Sequence, residues 1–254
     1  MTPRVGRPDR GRERTLSGMT TTDRYDFTNL IRIGVLALPL GNALKLIGNL
    51  GTFNSVGYGI PAAQEAAVAA GPGFLLGQLA GTILPTILGI FGAFALFGYL
   101  AGRTTHRRQL TTALVCSVVG AGIALPALGV VTYAIPALAQ HYHAGDPAAM
   151  TIADDFFVWP WGAILYPAVL LPIGLILLCV VLWRSTAISR LAIAGCALAG
   201  LLISIPIPLH SVRLAGGVLG LLAGAWLAYA IRRDLSVRGQ LGWRGEHVDH
   251  GAVA

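Results

Sequence analysis

Long, almost uncharged apolar blocks alternate along this chain with short arginine-rich segments. All but two of the eighteen basic residues fall in four such segments. Arg4, Arg7, Arg10, Arg12, Arg14, Arg24 and Arg32 precede or open the first block, and Arg103, Arg107 and Arg108 separate the second from the third. Arg184 and Arg190 separate the fourth from the fifth, while Arg232, Arg233, Arg238 and Arg244 follow the sixth. The blocks lie near residues 30–50, 73–101, 111–139, 158–183, 188–207 and 211–231, each close to or above the ~20 residues a helix needs to cross a hydrocarbon layer. A bilayer offers no water to backbone N–H and C=O groups, so a spanning segment satisfies them within a helix. The expected fold is all-α, a polytopic bundle of six transmembrane helices.

Composition agrees. Hydrophobic residues make up 55% of the chain and charged residues only 11%, against about a quarter charged in soluble domains. The net charge of +7 resides at the ends of apolar blocks, which makes it an orientation signal rather than a nucleic-acid footprint. The connections 51–72 and 141–157 hold no Lys or Arg but carry Glu65, Asp146, Asp154 and Asp155. The positive-inside rule then puts both termini in the cytoplasm and the acidic connections outside. Trp159 and Trp161 at the outer end of the fourth block, with Trp183, Trp226 and Tyr229 at inner ends, mark the same two boundaries. The expected organisation is a disordered basic segment over 1–26, a six-helix domain over 27–231 and a polar cytoplasmic tail over 232–254. Residues 1–18 read as disordered or as lying upstream of the true start at Met19. A cleaved signal peptide is disfavoured, because no small-x-small site follows the apolar core Ile33–Leu44. Arginine in place of lysine, with abundant Ala and Gly, fits a GC-rich bacterial genome and hence a bacterial cytoplasmic membrane.

Two internal patterns stand out. Val56-Gly57-Tyr58-Gly59-Ile60-Pro61-Ala62 and Val131-Thr132-Tyr133-Ala134-Ile135-Pro136-Ala137 share five residues, and Ile205-Pro206 adds a third Ile-Pro. Gly81-Thr82-Ile83-Leu84 is echoed by Gly162-Ala163-Ile164-Leu165. These raise the expectation of three repeated helical hairpins related about the membrane normal, against chance coincidence of common residues. Gly216, Gly220 and Gly224, Gly77 with Gly81, and Gly98 with Gly102 recur four apart. Such glycine faces are where helices approach closely in lipid.

Polar chemistry is sparse. The first block carries Asn42, Lys45 and Asn49 on one face at 100° per residue, beside Gly34, Gly41 and Gly48. An ionisable group within a bilayer is a functional candidate, although a lysine this close to the outer end can also snorkel to headgroups. Glu65, Asp154 and Asp155 are its candidate counter-charges. His141 and His143, with His210 on a neighbouring connection, are weak metal candidates, since a His-x-His pair in a loop lacks the fixed geometry of a helical pair. Asp154 and Asp155 read as caps of a short helix before the fourth block, as solvated residues, or as acid–base carboxylates. Cys116, Cys179 and Cys196 are isolated and form no disulfide or zinc pattern. Walker, nucleophile-elbow and zincin motifs are missing, and no cofactor is implied. Partners are expected to be the lipid bilayer and a membrane-protein partner or second copy, without nucleic acid. The reading taken first is a non-catalytic membrane subunit or accessory protein that packs through its glycine faces. The alternatives are a small-solute transporter or channel with a site near Lys45, and a membrane-embedded enzyme or redox module at the outer face.

Overall fold

The computed structural model describes residues 21–50, 61–155, 169–186, 188–204 and 210–248, and every element among them is helical. In order these are α1 (Thr21–Gly34), α2 (Ala37–Leu50), α3 (Ala62–Ala69), α4 (Pro72–Gln78), a π-helical turn (Leu79–Ile83), α5 (Leu84–Ala101), α6 (Arg107–His143), α7 (Ala148–Asp155), α8 (Leu170–Ser185), α9 (Arg190–Ser204) and α10 (His210–Val248). Among the described residues, four stretches are long and apolar enough to cross a membrane: Phe27–Gly48, Pro72–Ala101, Arg107–His143 and Ser211–Val237. The apolar helices Leu170–Ser185 and Arg190–Ile203 are shorter. The fourth block of the sequence begins within 156–168 and the fifth ends within 205–209, both outside the described residues.

Proline sets the internal breaks. Pro39 has no N–H to offer the carbonyl of Val35 and its ring crowds that carbonyl. The helix therefore opens at Val35–Leu36, and the Val35 carbonyl accepts instead from the Leu38 N–H at 3.3 Å. Pro85 lies in the first turn of α5 and strips the same bond from Gly81. The chain takes up that loss in the π turn immediately before it, in keeping with the usual causes of helix irregularity. Thr86 Oγ1 donates to the Thr82 carbonyl at 2.7 Å and satisfies another of the backbone acceptors there. In α6, Pro126 and Pro136 are accommodated inside a continuous 37-residue helix. That helix stops at Gly145, whose φ of 103° allows a Schellman ending: Gly145 N–H donates to the Tyr142 carbonyl and Asp146 N–H to the His141 carbonyl. Asp146 Oδ1 then accepts from the Ala148 N–H at 3.0 Å and starts α7.

The helices α2, α5, α6, α8, α9 and α10 pack in a closed cycle, each against the next and α10 back against α2, with α5 also meeting α8 across the middle. Small residues make the cycle tight. At the end of α1, Gly34 faces Ala95; on one side of α2, Gly41 faces Pro85 and Leu88, and Gly48 lies on Gly81 and Gly77. On its other side, Gly217, Gly220 and Gly224 of α10 close on Leu46, Asn42 and Pro39. Gly216 faces Leu202 and Ile203 of α9. Gly174 of α8 lies on Ser117 and Ala113 of α6, and Gly120 of α6 on Leu170 and Leu171 of α8. The glycines at 120 and 174 belong to no four-residue repeat, so spacing gave no sign of this crossing.

A core of Tyr99, Leu100, Leu110, Leu178, Leu182, Ile193, Leu227 and Ile231 fills the cycle toward the end where α6 begins. Large apolar residues such as Leu30, Ile33, Phe91, Leu191 and Leu222 stay exposed on its outside. At 1.5 Å per residue α6 extends roughly 55 Å, far beyond the ~30 Å of a hydrocarbon layer. Its distal half carries α3 and α7 in a second small core of Ala66, Ala69, Ile135, Ala139, Met150 and Ala153. Described arginines of the basic segments lie at the opposite end. Arg32, Arg232 and Arg233 line one cleft there, and Arg103 shares another with Ser185, Ser189 and Asp234.

The two Ile-Pro motifs that fall partly within the described residues sit in different local structures. Pro61 precedes the first turn of α3, whereas Pro136 is internal to α6.

Candidate functional site

Half-buried Lys45 of α2 lines a partly open cavity of about 110 Å³ between α2, α8, α9 and α10. Leu171, Leu175, Ile176, Ala199 and Ile203 form apolar walls, while Asn42, Cys196 and the backbone at Gly200 and Gly220 are its other polar elements. The site follows from packing already described. Gly220 lets α10 approach so closely that an added Cβ would stand 2.6 Å from Asn42 Oδ1, which pins Asn42 one helical turn below Lys45. Asn42 Nδ2 donates to the Leu38 carbonyl at 2.9 Å, so its carbonyl oxygen is the part presented toward α10. A volume of this size holds a few waters or one small ion, given ≈ 30 Å³ per water.

The other residues singled out by sequence do not join Lys45. Glu65, in the first turn of α3, is buried at 1% exposure, while Asp154 and Asp155 are exposed and are the last described residues of α7. None of the three lines the Lys45 cavity. The short helix before the fourth block has its amino end at Ala148, served by Asp146, and the Asp154–Asp155 pair falls at the opposite end of that helix. His141 and His143 are exposed in the last turn of α6, where the Tyr142 and His143 rings meet edge to face. No three His, Cys, Asp or Glu side chains converge on one point among the described residues. The side chains of Asn49 and His210, and residues 156–168 with Trp159 and Trp161, lie outside the described residues.

A second polar cluster escaped sequence reasoning. At the basic end, Arg103 Nη2 lies 3.2 Å from Asp234 Oδ2, and the same oxygen accepts from the Tyr99 hydroxyl at 3.1 Å. The Arg103 guanidinium also donates to the Tyr99 carbonyl at 2.6 Å and stacks 4.0 Å from the Tyr99 ring centroid. Nearby, the Ser185 hydroxyl donates to Thr104 Oγ1 at 2.7 Å, and the His106 N–H donates to the same Thr104 oxygen. These bonds tie the α5–α6 turn to α10 and to the end of α8. One signal existed: Asp234 is the acid set directly after Arg232-Arg233, a charge out of place in a basic segment. Its partner is 131 residues away, and nothing local names it. Arg190 lies 5.5 Å over the Trp183 ring and closes the neighbouring turn.

Set against protein-family models, characterised proteins and solved structures, the chain matches none. The chemistry must therefore be read from the site alone.

Proposed function

We propose that this chain is a multi-pass bacterial cytoplasmic-membrane protein of six spans, with its arginine-rich end in the cytoplasm, and that it moves or binds a small anionic or polar solute at Lys45. Support for the topology comes from four separate segments: Arg32, Arg103, Arg190 and Arg232 fall at one end of the cycle, and α3 and α7 with their carboxylates at the other. Support for the solute reading rests on one observation, the placement of half-buried Lys45 at a partly open cavity between helices, beside Asn42. A cation held among apolar walls is expensive, and a lysine whose only task was to reach headgroups would point out of the bundle. Gly220 lines this cavity, and Gly77, Gly81, Gly216 and Gly224 meet helices of their own chain. A non-catalytic subunit would have to dock through other surfaces.

Proteoliposomes containing the purified chain test this with chloride, acetate and glycerol as probes. Flux of at least one anion above protein-free vesicles, reduced tenfold or more by Lys45→Met and largely kept by Lys45→Arg, is the expected result. Flux equal to empty vesicles for every probe, or unaffected by Lys45→Met, removes the solute reading and leaves the non-catalytic subunit.

A further inference from the structure

We infer that the cleft between the α1–α2 break and α10 binds an anionic phospholipid by its headgroup. The cleft measures about 610 Å³, and three guanidinium groups line it: Arg32 from the last turn of α1, and Arg232 and Arg233 from α10. Among the described residues no carboxylate lines it; Asp234, paired with Arg103, belongs to the adjoining cavity, which Arg233 also lines. Three arginines crowded together repel one another unless an anion sits among them, and the planar guanidinium fork matches phosphate oxygens better than any other side chain.

The remaining lining separates a lipid from a free anion. Below the arginines the cleft turns apolar, with Leu36, Pro39, Ala225 and Ala228 as its floor. Tyr229, 65% exposed, stands at the level where amphipathic rings meet headgroups. Through Leu36 the cleft adjoins an apolar groove of about 790 Å³ that runs along α1, α2 and α5 past Leu40, Phe91 and Phe94. A charged pocket opening into an apolar groove has the layout of a phosphodiester with acyl chains, and basic pockets between helices at the cytoplasmic side are where such headgroups bind. The break at Val35–Leu36 creates the recess, so Pro39 and the arginines act together: the proline opens the space and the basic residues select what enters.

This assignment rests on the membrane reading above, and the test keeps the two apart. Carbonate extraction of cell membranes comes first; recovery of the chain in the soluble fraction overturns the membrane reading itself. Purified protein in neutral detergent is then titrated with phosphatidylglycerol or phosphatidylcholine and followed by native mass spectrometry. The wild type is expected to retain one phosphatidylglycerol in preference to phosphatidylcholine. Arg32→Gln, Arg232→Gln and Arg233→Gln each weaken that retention by about fivefold, and the triple variant by about a hundredfold, at the ≈ 1 kcal/mol that each basic residue contributes near anionic lipid. Arg108→Gln, an exposed arginine outside the cleft, leaves it unchanged. Circular dichroism checks that each variant keeps its helix content, and the singles at exposed Arg232 and Arg233 decide the matter if the triple variant fails to fold. Equal retention of the two lipids, equal loss with Arg108→Gln, or displacement of the lipid by excess inorganic phosphate overturns the assignment.

Discussion

Gly48→Ala perturbs one of the close backbone approaches among the described residues, the crossing of α2 over the π turn. A Cβ at that position would press on the Gly81 Cα, with the Gly81 nitrogen at 3.3 Å and the Gly77 carbonyl oxygen at 3.5 Å. All three are backbone atoms, so no side-chain rotation relieves the contact, and the helices must separate. Overpacking of this kind costs about 1–3 kcal/mol. Alanine also gains roughly 1 kcal/mol over glycine in a helix interior, which masks part of the effect. Gly89→Ala supplies the correction, since Gly89 lies within α5 and an added Cβ there meets nothing within 4 Å. Both variants share the propensity gain, so their difference isolates the contact. Unfolding in mixed micelles titrated with SDS, followed by circular dichroism, should place Gly48→Ala about 1–3 kcal/mol below Gly89→Ala, a shift of roughly 5- to 150-fold in the unfolding equilibrium. Equal stability of the two variants would refute the packing of α2 against the π turn.

Two further outcomes are expected. Asp234→Asn should weaken the bundle modestly, because the Arg103 and Asp234 side chains are 18% and 30% exposed and solvent screens them. A double-mutant cycle with Arg103→Gln should return a coupling of about 0.5–1 kcal/mol, and zero coupling would mean that the pair does not hold α10 to the α5–α6 turn. Reporter fusions after His106 and after Asp146 should report opposite faces of the membrane; the same face for both would overturn the six-span topology and its orientation together.

Local patterns were legible where the physics is local. Pro39 in the first block accompanies a break in its helix, although Pro126 and Pro136 leave α6 continuous, and Gly145 before Asp146 ends α6 where glycine can turn left-handed. The stripe of Gly34, Gly41 and Gly48 was visible as a face, but its partner was not. The same holds for Lys45, whose position on the helix follows from numbering alone while its surroundings come from α8, α9 and α10. His141, His143, Asp154 and Asp155 all fall within the one connection 141–157 of the sequence. In the fold, the end of α6 and the turn at Gly145 place the histidines on one helix and the carboxylates at the far end of another.

What the sequence determined by itself is the class of molecule: helical, apolar and basic at alternate connections. Those properties are sums over single residues of hydration, backbone satisfaction and charge, and each residue contributes whatever its neighbours in space. Only the tertiary structure decided that Gly174 meets Ser117, that Asp234 finds Arg103 and Tyr99, and that Arg32 shares a cleft with Arg232 and Arg233. These pairings depend on how each helix is rotated about its axis and where two helices cross, quantities fixed by the mutual fit of whole surfaces and carried by no single segment.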